Sequence, residues 1–162
     1  MDGLSIDQDA YRMTVTMPEN LVGMAADDDW AAWQGVTWAT VDGRSTVVLV
    51  SITVTAYQPG KNTNDDLARR LRERHPEGSA RIEQFTTQGG NPAVVVRRVA
   101  RQRLNGRDVT TGQAQALVAY PGAGALGIVS GIALDPDGLD RAADLVTGIA
   151  SGMTVTAASA AA

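Results

Sequence analysis

Cysteine is absent from the 162 residues, histidine occurs once, and phenylalanine once among seven aromatics. Without cysteine there is no disulfide, no thiolate metal ligand, no cysteine nucleophile and no lipobox-type acylated cysteine in this sequence. With His75 as the single imidazole, the His-rich metal sets and the nucleophile–His pairs of hydrolases lose their usual members. No apolar run approaches the roughly 20 residues of a membrane-spanning helix, so membrane insertion is not expected. The opening MDGLSIDQDA is acidic where a secretory leader is basic and then apolar. That favours a cytoplasmic location, with an exported domain whose leader has been removed as the alternative.

What remains is aliphatic. The apolar fraction of 44% is ordinary for a globular protein, so with few aromatics the core must be built from Val, Leu, Ile, Ala and Met. The length suits one domain. The net charge of −4 hides an asymmetry: residues 61–107 hold eleven Lys and Arg against five acids, whereas residues 1–60 hold two Arg against eight acids. Basic charge is concentrated in the middle of the chain.

Three successive strands are predicted over Ala93–Leu134. Asn105-Gly106 supplies the positive φ values of a two-residue hairpin turn, and Pro121-Gly122-Ala123-Gly124 makes the second bend. In the third strand Leu126, Ile128, Ile132 and Leu134 alternate with Ala125, Gly127, Val129, Gly131 and Ala133; in the second, Gly112, Ala114, Ala116 and Val118 share one face. Small residues let a helix approach closely, so a helical cover is expected. Leu139–Ile149, with Leu139, Ala142, Ala143, Val146 and Ile149 on one stripe and Gly152 at its end, is the best candidate for it.

Elsewhere, Tyr11–Met17 alternates as a half-buried strand that Pro18 ends, and residues 19–29 read as an acidic loop. Asp27-Asp28-Asp29 lacks the spacing of a calcium loop. A second hairpin runs Gly35–Val41, Asp42-Gly43, Arg44–Tyr57. Asn62 or Thr63 caps a helix with Asp65 and Asp66 in its first turn and Pro76 as its stop. His75 sits at that helix end, where a cation suits the dipole. Arg81–Thr87 is a weak strand and Met153–Val155 a short final one. The expected organisation is an N-terminal extension (1–10), one α+β domain (11–155) and a disordered tail (156–162). In it a central antiparallel sheet, made of the hairpin and the three-strand meander, is covered by two helices. Because Tyr11–Met17 lacks the Lys or Pro that protects an edge strand, it is also a candidate for self-association, although the oligomeric state is otherwise open.

This order of elements, with the Gly89-Gly90-Asn91-Pro92-Ala93 turn leading into the meander and a closing amphipathic helix followed by a short strand, resembles the PsbP/Mog-like fold. Within it the chain is most similar in style to small LpqN-type envelope lipoproteins. The resemblance covers roughly Tyr11–Val155 and implies a sheet with helices on its faces. It also implies a role in binding other proteins, or sometimes small or lipidic ligands, and it assigns no residue a role.

No G-x-S-x-G elbow is present, Ser130 lies mid-strand among apolar residues, and Gly122, Gly124 and Gly127 lead into a strand rather than a phosphate-binding helix. No enzyme activity, cofactor or metal is therefore expected. Two features point to binding. Arg69, Arg70, Arg72 and Arg74 on the first helix, with Arg97, Arg98, Arg101 and Arg103 on the first meander strand, form either a solvated charged face or a docking surface for an acidic protein. Side chains alternate along a strand, so half of its set at most can join the helix; Arg97 and Arg101 are carried forward. Trp30, Trp33 and Trp38 either fill the core or anchor a partner, and Trp30 and Trp33, in a polar stretch, are the candidate anchors. Nucleic acid is not expected, because the remaining surface is acidic and no aromatic interleaves with the arginines. The expected function is a non-enzymatic protein-binding module, the alternative being a carrier that holds a lipid or small apolar ligand between sheet and helix.

Overall fold

The computed structural model describes residues 3–8, 10–18, 20–24, 32–57, 63–74 and 80–157. In chain order the elements are β1 (Gly3–Gln8), β2 (Tyr11–Thr16), β3 (Val22–Met24), β4 (Trp33–Val41), β5 (Arg44–Ala56), α1 (Thr63–Arg74) and β6 (Arg81–Thr86). They continue with β7 (Pro92–Leu104), β8 (Arg107–Tyr120), β9 (Ala125–Ala133), α2 (Leu139–Gly152) and β10 (Thr154–Ala157). The ten strands form two antiparallel sheets, one of seven in the order β3-β4-β5-β9-β8-β7-β6 and one of three in the order β1-β2-β10. The fold is α+β.

Both two-residue turns take the conformation their sequences demand. Asp42 and Gly43 have φ of 51° and 75°, and Asn105 and Gly106 have 51° and 77°. Positive φ at both central positions matches the twist of the flanking strands. The second bend of the meander is a single 3-10 turn, Pro121–Ala123, closed by Gly124 in the left-handed region.

α2 covers the small-residue face of the large sheet as expected. A Cβ on Gly112 would stand 2.9 Å from Cβ and 3.0 Å from Cα of Leu139, and one on Gly131 would stand 2.9 Å from Val146 Cγ1. Such distances leave no room for even a methyl group. Ala142, Ala143, Val146, Ile149 and Ala150 of α2 pack with Val48, Val50, Ile52, Val54, Ala114, Ala116, Val118, Ala125 and Val129 into the main core. The same core takes Ile6, Met13, Val15 and Val155 from the small sheet.

α1 lies on the opposite face and only at one end of it. Leu67, Ala68 and Leu71 pack with Tyr57, Val94, Val96, Leu117, Ala119 and Leu126 in a second cluster. A polar clasp fixes the helix. The Tyr57 hydroxyl donates to Asp66, Asp66 also pairs with Arg69 and, at 3.3 Å, with Arg70, and the Arg70 guanidinium stands 4.7 Å from the centre of the Tyr57 ring.

Four expectations are corrected. The N-terminal segment is not an extension: Leu4 and Ile6 alternate with Ser5 and Asp7 in β1, which pairs with β2 from Gly3↔Thr16 to Gln8↔Tyr11. Flanked by β1 and β10, the Tyr11 strand is the middle of its sheet rather than an edge, which explains why it carries no edge protection. Its sheet is separate from the one that the hairpin and the meander build. Finally, Val22–Met24 is a strand where a loop was expected, because three residues are too few to show a period. Asp27–Asp29, Trp30, His75 and the tail from residue 158 lie outside the described residues, whereas Thr156 and Ala157 belong to β10.

Two outcomes are expected. Gly112→Ala should lower the unfolding free energy by about 1–3 kcal/mol, because overpacking here meets helix backbone. Gly122→Ala, with nothing within 4 Å of its added carbon, should leave it unchanged in the same urea titration. The clasp should be pH-dependent at both ends. Asp66 is held below its ordinary value of 3.8, first by the Tyr57 hydrogen bond and then by Arg69 and Arg70, against the effect of burial. Its contribution is present above that value and is lost as pH falls through the lower folded one. Tyr57 is pushed up from 10.0 to about 12, first by burial and then by its bond to Asp66. Its contribution is present below pH 10.0 and is lost as pH rises towards about 12. Tyr57→Phe should flatten both limbs of a plot of urea midpoint against pH.

Candidate functional site

α1 reaches only one end of its face, and no described element covers the rest, the open face. Cross-strand register identifies its members: Val22 and Met24 of β3, Gln34, Val36 and Trp38 of β4, Val47, Leu49 and Ser51 of β5, and Ile128, Ser130 and Ile132 of β9. Exposure reaches 55% at Val22, 54% at Trp38, 45% at Met24 and 37% at Leu49, high values for large apolar side chains side by side. Leu134, at the end of β9, is exposed as well. Scattered exposed apolar residues are ordinary, but a contiguous patch on one sheet face is a binding feature. Met24, Gln34, Leu49, Ser51, Ser130 and Ile132 line a shallow groove of about 230 Å³ there.

Two pairs of polar side chains on this face bond each other. Gln115 Nε2 donates to Ser130 Oγ at 3.1 Å, and Arg98 Nη2 donates to Gln113 Oε1 at 3.0 Å. The Ser130 hydroxyl thus meets a side chain. The register also sorts the charges. Arg98 and Arg107 lie on the open face with α1, and no strand position on that face carries a carboxylate among the described residues.

The proposed arginine surface is therefore split. Arg97 pairs in register with Ala114, a residue of the α2 core, and its guanidinium bonds Asp140 of α2 at 3.0 Å. Arg101 is exposed on that same α2 side, opposite Thr110 in the part of the β7–β8 hairpin that extends past β9. Arg69, Arg70 and Arg72 are exposed on α1, on the other face; Arg69 and Arg70 are already engaged with Asp66. Arg74 ends α1. Strand alternation makes Arg98 and Arg107, not Arg97 and Arg101, the strand companions of the helix arginines.

The tryptophans divide similarly. Trp33 is half-buried on the α2 side of β4, its indole lying over Gly35 and 3.5 Å from where a Gly23 Cβ would be. Gly23 and Gly35 are directly paired, so the two glycines make the shelf on which the ring rests. Of the two described tryptophans, Trp38 is the exposed one, on the open face opposite Val47. It was missed because it sits in a clear strand, where an aromatic is ordinarily core. Its usable signal was its parity with Val47 and Leu49, whose face turns polar at Ser51 and Thr53.

A scan against protein-family models finds no match, and neither does a search of curated proteins. Among solved structures, the chain resembles the crystal structure of LpqN, involved in cell envelope biogenesis of Mycobacterium tuberculosis, with a TM-score of 0.55 and 14% identity. The match covers 96% of this chain and 91% of that one. At this identity the likeness speaks to architecture, and the architecture of this chain is LpqN-like.

Proposed function

We propose that this protein is a non-enzymatic binding module, PsbP/Mog-like in kind. It receives on the open face of its large sheet an apolar patch of a partner protein bordered by acidic residues. The observation that carries this reading is the uncovered half of that face, where Val22, Met24, Trp38 and Leu49 are exposed together. Burial of such a patch supplies affinity, and a Trp such as Trp38 is the kind of residue that carries a large share of it. Charge selects the occupant. The strand positions of the face present Arg98 and Arg107 and, among the described residues, no carboxylate, so an acidic rim on a partner would be attracted. The non-enzymatic part of the reading rests on the residue inventory, with no cysteine and a single histidine.

The carrier reading draws less support. Over β8 and β9 a ligand has no room under α2, because Gly112 and Gly131 already meet Leu139 and Val146 at contact distance, and the cleft of about 400 Å³ between α2 and β4 is open and carries Arg141 and Asp144. The groove on the open face, at about 230 Å³, falls below the roughly 300–1,000 Å³ of ordinary ligand pockets. As for location, no described helix is long and apolar enough to cross a membrane. The likeness to a protein of cell envelope biogenesis supports the exported alternative over a cytoplasmic one.

The test is site-specific photo-cross-linking in the native host, with the photoreactive residue placed at Leu49 or Ile132 and, for comparison, at Asp144 on the exposed side of α2. A discrete protein adduct from the first two positions and not the third is expected. With the partner so identified, Leu49→Asp should weaken its binding by at least about 2 kcal/mol, roughly thirtyfold in Kd. Arg98→Glu should act mainly on the association rate and on its salt dependence. Native mass spectrometry of freshly purified protein carrying a bound non-protein mass, with no adduct from Leu49 or Ile132, would favour the carrier instead.

A further inference from the structure

The flank of α2 that faces β4 carries two charges that their neighbours leave unanswered. Arg141 and Asp144 are exposed and form no ion pair among the described residues. The acids just before Arg141 in the sequence are already engaged, Asp137 with Arg44 at 2.9 Å and Asp140 with Arg97 at 3.0 Å. Nor do Arg141 and Asp144 close on each other. In α1 the acid comes first, Asp66 three residues before Arg69, and the two pair. In α2 the cation comes first, which is the less favourable order on a helix. A cation and an anion thus stand about one turn apart on the same wall.

That wall borders the cleft of about 400 Å³ between α2 and β4, whose other lining residues include Thr37, Ala39 and Val48 of the sheet, Leu145 of α2 and Asn20 ahead of β3. Its size falls within the range of ordinary small-ligand pockets. Thr37 is only 3% exposed, and its Oγ1 has no hydrogen-bond partner. A buried hydroxyl left unmet destabilises a fold, and valine would fill the same space without that cost. The cleft therefore combines a cation, an anion and an unmet hydroxyl with an aliphatic surface made by Ala39, Val48 and Leu145.

We propose that this cleft binds a small aliphatic zwitterion, with the ligand's carboxylate on Arg141, its ammonium on Asp144 and its apolar part against Ala39, Val48 and Leu145. Arginine presents a planar fork of donors that matches a carboxylate, and an ammonium supplies donors for the Asp144 oxygens. The Thr37 hydroxyl, donor and acceptor in one, completes either end of the ligand. An apolar molecule would leave both charges and the hydroxyl unmet, and a singly charged one would leave one charge of the pair unmet. A free amino acid and an uncapped short peptide share the required chemistry and differ in how far apart they hold the two charges. The cleft lies on the α2 side of the sheet, away from Trp38 and Leu49 on the open face, so this inference goes beyond the protein-binding reading and does not rest on it.

The probes are L-leucine and the uncapped dipeptide Ala-Leu, titrated in turn into the isotope-labelled full chain while backbone amide resonances are followed. Saturable shifts at the Thr37, Ala39, Asp144 and Leu145 amides are expected from at least one of them. A response to leucine alone assigns a free amino acid, and a response to the dipeptide alone assigns a short peptide. The N-acetylated and C-amidated forms of the probe that binds, each lacking one charge, should bind at least about threefold more weakly. In Arg141→Gln the probe and its amide should bind alike within about twofold, and in Asp144→Asn so should the probe and its acetylated form, because each variant removes the partner of the missing charge. Thr37→Val should weaken the probe at least about threefold while leaving the urea midpoint unchanged or higher, since the hydroxyl has no partner within the protein. No saturable shift from either probe up to its solubility limit, undiminished binding of both singly charged forms, or equal affinity in Thr37→Val would overturn the proposal. A lower urea midpoint in Thr37→Val would overturn it as well, because the hydroxyl would then serve the fold and not a ligand.

Discussion

The contact between α2 and the small-residue column of β8 and β9 is the constraint on which the rest of the structure depends. Gly112 and Gly131 bring the helix within contact distance of sheet backbone, and Ala114, Ala116, Ala125 and Ala133 keep the surrounding floor flat. Once α2 occupies that face, the alternation of every strand is settled. Val48, Val50, Ile52 and Val54 go into the main core, and Leu49, Ile128 and Ile132, equally apolar, go to the other side. The sheet is thus apolar on two faces but has one long cover.

The second cover is short. α1 has twelve residues and a narrow stripe, Leu67, Ala68 and Leu71, and it seals only the β6–β7 end with adjoining parts of β8 and β9. Its anchoring by Tyr57 and Asp66 adds a polar clasp to a small apolar contact. The β3–β4–β5 end is left with apolar side chains that no described element covers. That exposed row follows from a shortage of covering elements at one side of a wide sheet, and it is the physical basis of the proposed binding surface.

Much of this was legible in the residues. The two hairpin turns, the meander, both helices and the choice of α2 as the cover follow from Asp42-Gly43, Asn105-Gly106, the glycine and alanine column and the stripe from Leu139 to Ile149. The candidate site was less so. The basic cluster could be seen as a cluster, but whether Arg97 or Arg98 joins α1 turns on which face α1 occupies, a matter of long-range packing. Trp38 looked like a core residue because strand periodicity reports that one face is buried without saying which apolar face it is.

The sequence by itself determined the local units, because turn geometry, helix capping and periodicity act over a few residues. It also pointed to a helix approaching one sheet face closely, because the glycines and alanines of β8 and β9 share that face. Only the tertiary structure decided that β2 is the centre of a separate sheet and that β4 outruns its neighbour. It alone decided that the arginines divide between two faces, and that a row of Val, Met, Trp and Leu side chains is left facing water. Those outcomes depend on pairings between residues tens of positions apart, where the same alternating strand can serve as core, edge or exposed face according to what packs against it.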